Sequence, residues 1–66
     1  MSLHLEVANA LEAERIVVPV NDVLHVKAHR AAEWAVSQGM DERTAARWGA
    51  VRVTQSIPLA ERAKRV

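Results

Sequence analysis

The 66-residue sequence contains no cysteine, no phenylalanine and no tyrosine, and two tryptophans are its only aromatic residues. Without cysteine the chain can form no disulfide, and it lacks the ligands of most structural zinc sites. Half of its residues are apolar, but twelve of them are Ala and ten are Val. Small side chains contribute little burial energy each. Domains with so thin a core commonly gain stability by self-association, and we therefore expect a dimer.

Long apolar runs are also missing. No stretch approaches the roughly 18–20 apolar residues that a membrane-spanning helix requires. The first residues, Met-Ser-Leu-His-Leu-Glu, lack the basic start and apolar run of a signal peptide. The lack of cysteine fits a reducing compartment, and a chain of this length has room for one domain. We expect a single cytoplasmic domain, residues 1–66, that does not enter a membrane.

Catalytic and cofactor-binding motifs are not found either. The only two glycines, Gly39 and Gly49, do not form a phosphate-binding loop. The carboxylates are scattered singly, and no Ser-His-Asp set can be argued from so short a chain. A substrate pocket of about 300 Å³ would consume most of the core. The sequence therefore predicts a non-enzymatic protein without a cofactor, which acts by binding.

Charge is distributed unevenly, although the formal net charge is only +1. Residues 1–22 carry one Arg against four acidic residues, whereas residues 23–66 carry eight Lys and Arg against four acidic residues. This asymmetry indicates either head-to-tail packing of subunits or an anionic partner for the second part of the chain.

Residues 3–14 fit two kinds of secondary structure. Leu3, Leu5 and Val7 alternate with polar residues, as in a strand, whereas Leu3, Val7 and Leu11 also share one face of a helix. The Ala and Glu content after position 8 favours the helix, and Ser2 is a candidate cap for it. The strand remains an open alternative.

Two further helices are predicted more clearly. Residues 15–20 are rich in β-branched residues and read as a short extended segment, which Pro19 excludes from the middle of a sheet. Asn21 or Asp22 then caps a helix that runs to about Gln38.

Gly39 follows as a left-handed C-cap, and Asp41 caps a helix that ends near Thr54. Leu59 to Val66 form either a last short helix or a basic tail. The expected fold is mainly α, a small bundle of three to four short helices.

Helical periodicity assigns faces to these two helices. On the first, the core face carries Leu24, Ala28, Ala31 and Ala35, and the opposite, solvated face carries Asp22, His25, His29 and Glu33. The two His and Glu33 have metal-ligand spacing, but no further cluster completes a site, so a metal is expected only if subunits share it. On the second helix, Ala45, Ala46, Gly49 and Val53 face inward, whereas Arg43, Arg47 and Thr54 face outward. Trp34 and Trp48, one on each helix, are predicted to meet in the core.

The stretch 31–50 has Ala35, Gly39, Met40, Ala45 and Trp48 at a spacing that favours two helices crossing over a tight turn, with apolar Trp34 beside the crossing. It resembles the helix-turn-helix of bacterial and phage regulators. The resemblance implies that the second helix enters the major groove of DNA. The side chains facing DNA would then be Arg43, Ala46, Arg47 and Ala50, with Arg able to read guanine. Phosphate contacts would come from Arg52, Arg62, Lys64 and Arg65.

Two alternatives stay open. The order of extended segment, helix, Gly39 and second helix is similar to ribbon-helix-helix repressors, in which a strand beginning at Arg15 would dimerise and contact DNA. The Ala-lined face of the first clear helix and the low net charge instead indicate a helical module that binds a protein partner, or a small subunit of a larger assembly. The main expectation is a small dimeric DNA-binding transcriptional regulator, and the protein-interaction module is the alternative.

Overall fold

A computed structural model of the chain describes residues 2–57. They form three helices, α1 (Leu3–Ala13), α2 (Val23–Ser37) and α3 (Glu42–Thr54). No strand occurs in this part of the chain, so the predicted mainly helical bundle is confirmed and residues 3–13 are helical. The segment 15–20 is irregular rather than a β-strand. The expected last helix or basic tail at 59–66, with Arg62, Lys64 and Arg65, lies outside the described residues.

The predicted caps of α2 and α3 are confirmed. The Asp22 carboxylate accepts a hydrogen bond of 2.9 Å from the backbone N–H of Leu24, and the Asp41 carboxylate accepts one of 3.0 Å from Thr44. These bonds satisfy N–H groups that have no partner within the helix. Gly39 ends α2 with φ +102°, the left-handed conformation in which a glycine avoids the strain of a side chain.

The C-terminus of α1 has the same geometry without a glycine. Arg15 has φ +64°, while the N–H groups of Arg15 and Ile16 donate to the carbonyls of Glu12 and Leu11, each at 2.9 Å. This is the Schellman arrangement, in which an apolar residue after the turn packs on the last turn of the helix. Ile16 and Leu11 are both buried. The start of the connection from α1 to α2 is therefore fixed to the core.

The core depends on small residues. Among residues 2–57 nine apolar side chains are buried, and six of them are Ala from α2 and α3. The larger ones, Val7, Leu11 and Ile16, come from α1 and the connection that follows it. Because α2 and α3 fully bury mainly methyl groups, the largest fully buried apolar side chains come from α1 and the segment that follows it.

At Gly49 the backbones of α2 and α3 approach too closely to leave room for a side chain. A Cβ atom on Gly49 would overlap the carbonyl oxygen of Ala28 and would lie 3.1 Å from the backbone nitrogen of Ala32. Both neighbouring atoms belong to the backbone of α2, so neither can rotate away as a side chain would. The close packing of Ala28 and Ala32 against α3 therefore requires glycine at position 49.

Two predicted orientations are wrong. His25, expected on a solvated face, is completely buried, because the first turn of α1 packs against that side of α2 and brings His4 within 3.1 Å of it. Thr54, expected to point outward, is 2% exposed. Its hydroxyl donates to the carbonyl of Val51 at 3.1 Å, and this bond satisfies a polar group inside the bundle.

We expect Gly49→Ala to destabilise the fold by about 1–3 kcal/mol, the usual range for overpacking a tight contact, even though Ala favours helix formation elsewhere. Urea denaturation followed by circular dichroism measures the loss. Ala substituted for exposed Arg47 on the same helix is the control and should change stability by less than about 0.5 kcal/mol. If the Gly49→Ala variant were as stable as the wild type, the two helices would not cross at this point.

Candidate binding surfaces

The two predicted DNA readers, Arg43 and Arg47, lie in a groove between α1 and α3. Both are exposed, and they line the groove together with Leu5, Glu6, Asn9, Ala10, Ala13, Glu14, Thr44 and Val51. The α1 wall therefore carries two carboxylates where phosphates would have to approach. Negative charge at this position opposes the binding of a polyanion.

Ala46 and Ala50, predicted to face DNA, are instead buried, at 1% and 0% exposure. They belong to the same core cluster as Val7 and Leu11 of α1. Helix α1 thus covers the side of α3 that the helix-turn-helix pattern would present to DNA. In this fold Ala46 and Ala50 cannot reach a base, and their assignment as readers is wrong.

Arg52, predicted as a phosphate contact, projects from a different side of α3. It follows Arg47 by five residues, which corresponds to about 140° around a helix of 3.6 residues per turn. Its guanidinium carbon lies 4.9 Å from the centroid of the Trp48 ring, on the side of α3 that adjoins α2. The fold therefore separates Arg52 from Arg43 and Arg47.

Trp34 and Trp48 do meet across the turn, as predicted, but they do not form part of the buried core. Their ring centroids lie 5.6 Å apart at an interplanar angle of 26°. Trp48 is partly buried against the core, whereas Trp34 is 57% exposed. The prediction of a buried pair fails for Trp34 because α1 packs on the opposite side of α2.

Cationic side chains lie on the same sides of α2 and α3 as this pair. Lys27 and Arg30 precede Trp34 by seven and four residues, so all three lie along one side of α2, and all three are exposed. Arg52 adds a third cation beside Trp48. We call the surface formed by Lys27, Arg30, Trp34, Trp48 and Arg52 the basic–aromatic face.

Among the described residues, acidic side chains border this face at two places: Glu33, which is 60% exposed, lies beside Trp34 on α2, and two more lie at the end near the turn. Asp41 and Glu42 stand at the N-terminus of α3, where carboxylates interact favourably with the helix dipole. The backbone N–H of Thr44, and then its side chain, hold the pKa of Asp41 below its ordinary value. Asp41 is therefore ionised at neutral pH, and it limits the anion-attracting part of the surface to the side away from the turn.

All three histidines of the chain meet between α1 and α2. His4 Nδ1 lies 3.1 Å from His25 Nε2, and the His4 ring stacks on that of His29 with centroids 3.7 Å apart and an interplanar angle of 5°. Within residues 2–57 no group of three or more His, Cys, Asp or Glu is arranged to hold a metal ion. His29 Nδ1 instead faces Glu33 Oε1 at 3.4 Å.

None of the described helices is long and apolar enough to cross a membrane. Comparisons of the chain with protein families, curated proteins and solved structures find no match.

Sequence reasoning missed Lys27 and Arg30 as members of a surface. The signal was present, because Lys27, Arg30 and Trp34 have the spacing of one helical side. The histidine cluster was harder to predict from the sequence. The spacing of His25 and His29 placed them together, but nothing in the sequence indicated that α1 would bring His4 against them.

The two tryptophans should contribute differently to stability. We expect Trp48→Ala to cost about 2–3 kcal/mol, because it removes packing against the core. Trp34→Ala should cost about 1 kcal/mol, which is the loss of one aromatic pair. Urea denaturation of the two variants provides the comparison, and equal losses would contradict the assignment of Trp34 to the surface.

Proposed function

We propose that the protein is a small, non-enzymatic nucleic-acid-binding domain that uses its basic–aromatic face. The observation that carries the proposal is the exposed ring of Trp34, held against Trp48 and accompanied by Lys27, Arg30 and Arg52. The expectation of a DNA partner is thus retained, but its binding surface is different from the one the helix-turn-helix pattern indicated.

The Trp34 ring suits a base better than a phosphate. Nucleobases stack on aromatic side chains with about 1–3 kcal/mol per base, and this stacking tolerates any sequence. Because Trp48 already contacts the ring, Trp34 is partly ordered before a ligand arrives, which lowers the entropic cost of binding. Bases within a duplex are stacked on each other, so this mode favours single-stranded DNA or RNA.

The positively charged side chains of this face can bind the phosphate backbone of the same strand. Lys27 and Arg30 lie within two turns of Trp34 on α2, and Arg52 lies beside Trp48 on α3. None of these five positions is acidic. A strand that stacks one base on Trp34 can therefore place neighbouring phosphates near positive charge, which is the usual combination in single-strand binding surfaces.

The helix-turn-helix mode of binding has less support. Entry of α3 into a major groove needs its outer residues clear of the rest of the protein, but Ala46 and Ala50 are covered by α1. The acidic residues Glu6 and Glu14 line the groove that contains Arg43 and Arg47. Regulation of transcription through this element is therefore not part of the proposal.

Binding should be measured by fluorescence anisotropy of labelled oligothymidylate of about 16 nucleotides, the upper site size of a small single-strand binding fold. We expect Trp34→Ala to weaken binding by roughly 10-fold, which corresponds to the loss of about 1.4 kcal/mol of stacking. Trp34→Phe, which keeps an aromatic ring, should retain most of the affinity. An oligoribonucleotide and a duplex of equal length show which nucleic acid is preferred.

The double variants Lys27→Gln/Arg30→Gln and Arg43→Gln/Arg47→Gln form a matched pair, because each removes two positive charges. The first should reduce the slope of log affinity against log salt by about 1.4, since each phosphate contact on a single strand contributes about 0.7. The second should leave the slope nearly unchanged. The reverse result would assign binding to the α1–α3 groove, and absence of binding at low salt would refute a nucleic-acid partner.

A second candidate, a protein-interaction module, is favoured by a different observation. Val17, Val20 and Val23 are 52%, 54% and 64% exposed and lie close together in sequence, where α2 begins. Exposed apolar clusters mark contacts with proteins, including the self-association expected from the thin core. Concentration-dependent sedimentation that Val20→Lys/Val23→Lys abolishes, together with no oligonucleotide binding, would favour this candidate.

A further inference from the structure

The histidine cluster connects α1 to α2 and is not part of the proposed binding surfaces. His4 comes from the first turn of α1, whereas His25 and His29 lie one turn apart on α2. The ring of His4 contacts both, by a nitrogen–nitrogen distance of 3.1 Å to His25 and by stacking on His29. Three imidazoles in direct contact join two helices at this point.

The contact between His4 and His25 sets a limit on proton binding. One nitrogen must carry a hydrogen and the other must offer a lone pair, because two N–H groups would oppose each other at this distance. His25 Nδ1 is also buried and has no hydrogen-bond partner in the described residues. A protonated His25 would therefore bury a second N–H group without a partner, at an appreciable cost.

Each of the three helices carries charged or titratable groups that could act on the cluster. On α1 the group in contact is His4, and on α2 it is His29, whose Nδ1 lies 3.4 Å from Oε1 of the 60% exposed Glu33. On α3, Arg43 and Arg47 face the groove on α1, Arg52 lies over Trp48, and Glu42 is in the first turn. The groups that act on His25 are therefore the other two histidines.

We propose that the His4–His25–His29 cluster is a proton-sensitive latch, which fastens α1 to α2 while its imidazoles are neutral and releases α1 when they become charged. Release would withdraw Val7 and Leu11 from the core and uncover Ala46 and Ala50 of α3, which share that core cluster. The latch is independent of the proposed nucleic-acid binding, because the basic–aromatic face lies on α2 and α3.

The direction of the pH effect follows from burial. Desolvation, and then the charges of His4 and His29, lower the pKa of His25 below its ordinary value of 6.5. A released or unfolded His25 therefore takes up a proton at a higher pH than the latched one. The attachment of α1 is complete above pH of about 6.5 and weakens as the pH falls from there towards the lowered pKa.

Hydrogen exchange of backbone amides, followed by NMR and corrected for intrinsic exchange, tests the latch on the full chain. Between pH 6.5 and 5.5 we expect protection in α1 to fall by about 3- to 5-fold, because one group with an ordinary pKa of about 6.5 can lower it by at most about 5-fold over this range. Protection near Trp48 in α3 should fall less. An equal fall in all three helices, or none in α1, would overturn the proposal.

Two variants test whether the histidine cluster causes the pH dependence. In His25→Leu, which replaces the buried imidazole by an apolar side chain, protection of α1 should change less with pH than in the wild type. If this variant does not fold, His4→Gln/His29→Gln still removes both neighbouring charges and should reduce the change in α1 protection to a smaller value than in the wild type. A wild-type response in His4→Gln/His29→Gln would overturn the role of the cluster.

Discussion

The close contact between Ala28 of α2 and Gly49 of α3 is the constraint on which the rest of the molecule depends. A chain with few large apolar residues can exclude water only if its helix backbones approach each other closely, and a glycine opposite a row of Ala allows this. The contact fixes which sides of α2 and α3 face each other. The remaining sides are then either covered by α1 or left in solvent.

As a result, two sides of α3 have different surroundings. On one flank α1 covers Ala46 and Ala50 and places acidic residues beside Arg43 and Arg47. On the other flank Trp48 and Arg52 adjoin Trp34 of α2 with no covering element among residues 2–57. The proposed binding face and the proposed latch therefore use opposite sides of α2, and each can be changed by mutation without altering residues of the other.

Much of the fold was predictable because local rules govern it. Asp22, Gly39 and Asp41 mark helix ends through hydrogen bonds and backbone conformation that depend only on nearby residues. The positions of His25, Trp34 and Ala50 were not predictable in this way. Helical periodicity groups residues on one side of a helix, but it does not say which neighbouring helix will cover that side. The register of α1 decides this, and it buries His25 and Ala50 while it leaves Trp34 exposed.

We propose that nucleic acid binds to the side of α2 and α3 that α1 leaves open. The most direct measurement is a ¹⁵N–¹H NMR titration of the protein with oligothymidylate. The account predicts shift changes at the Trp34 indole N–H and at the backbone amides of Lys27 and Arg30, with little change along α1. Shift changes centred on Arg43, Arg47 and α1 would contradict it.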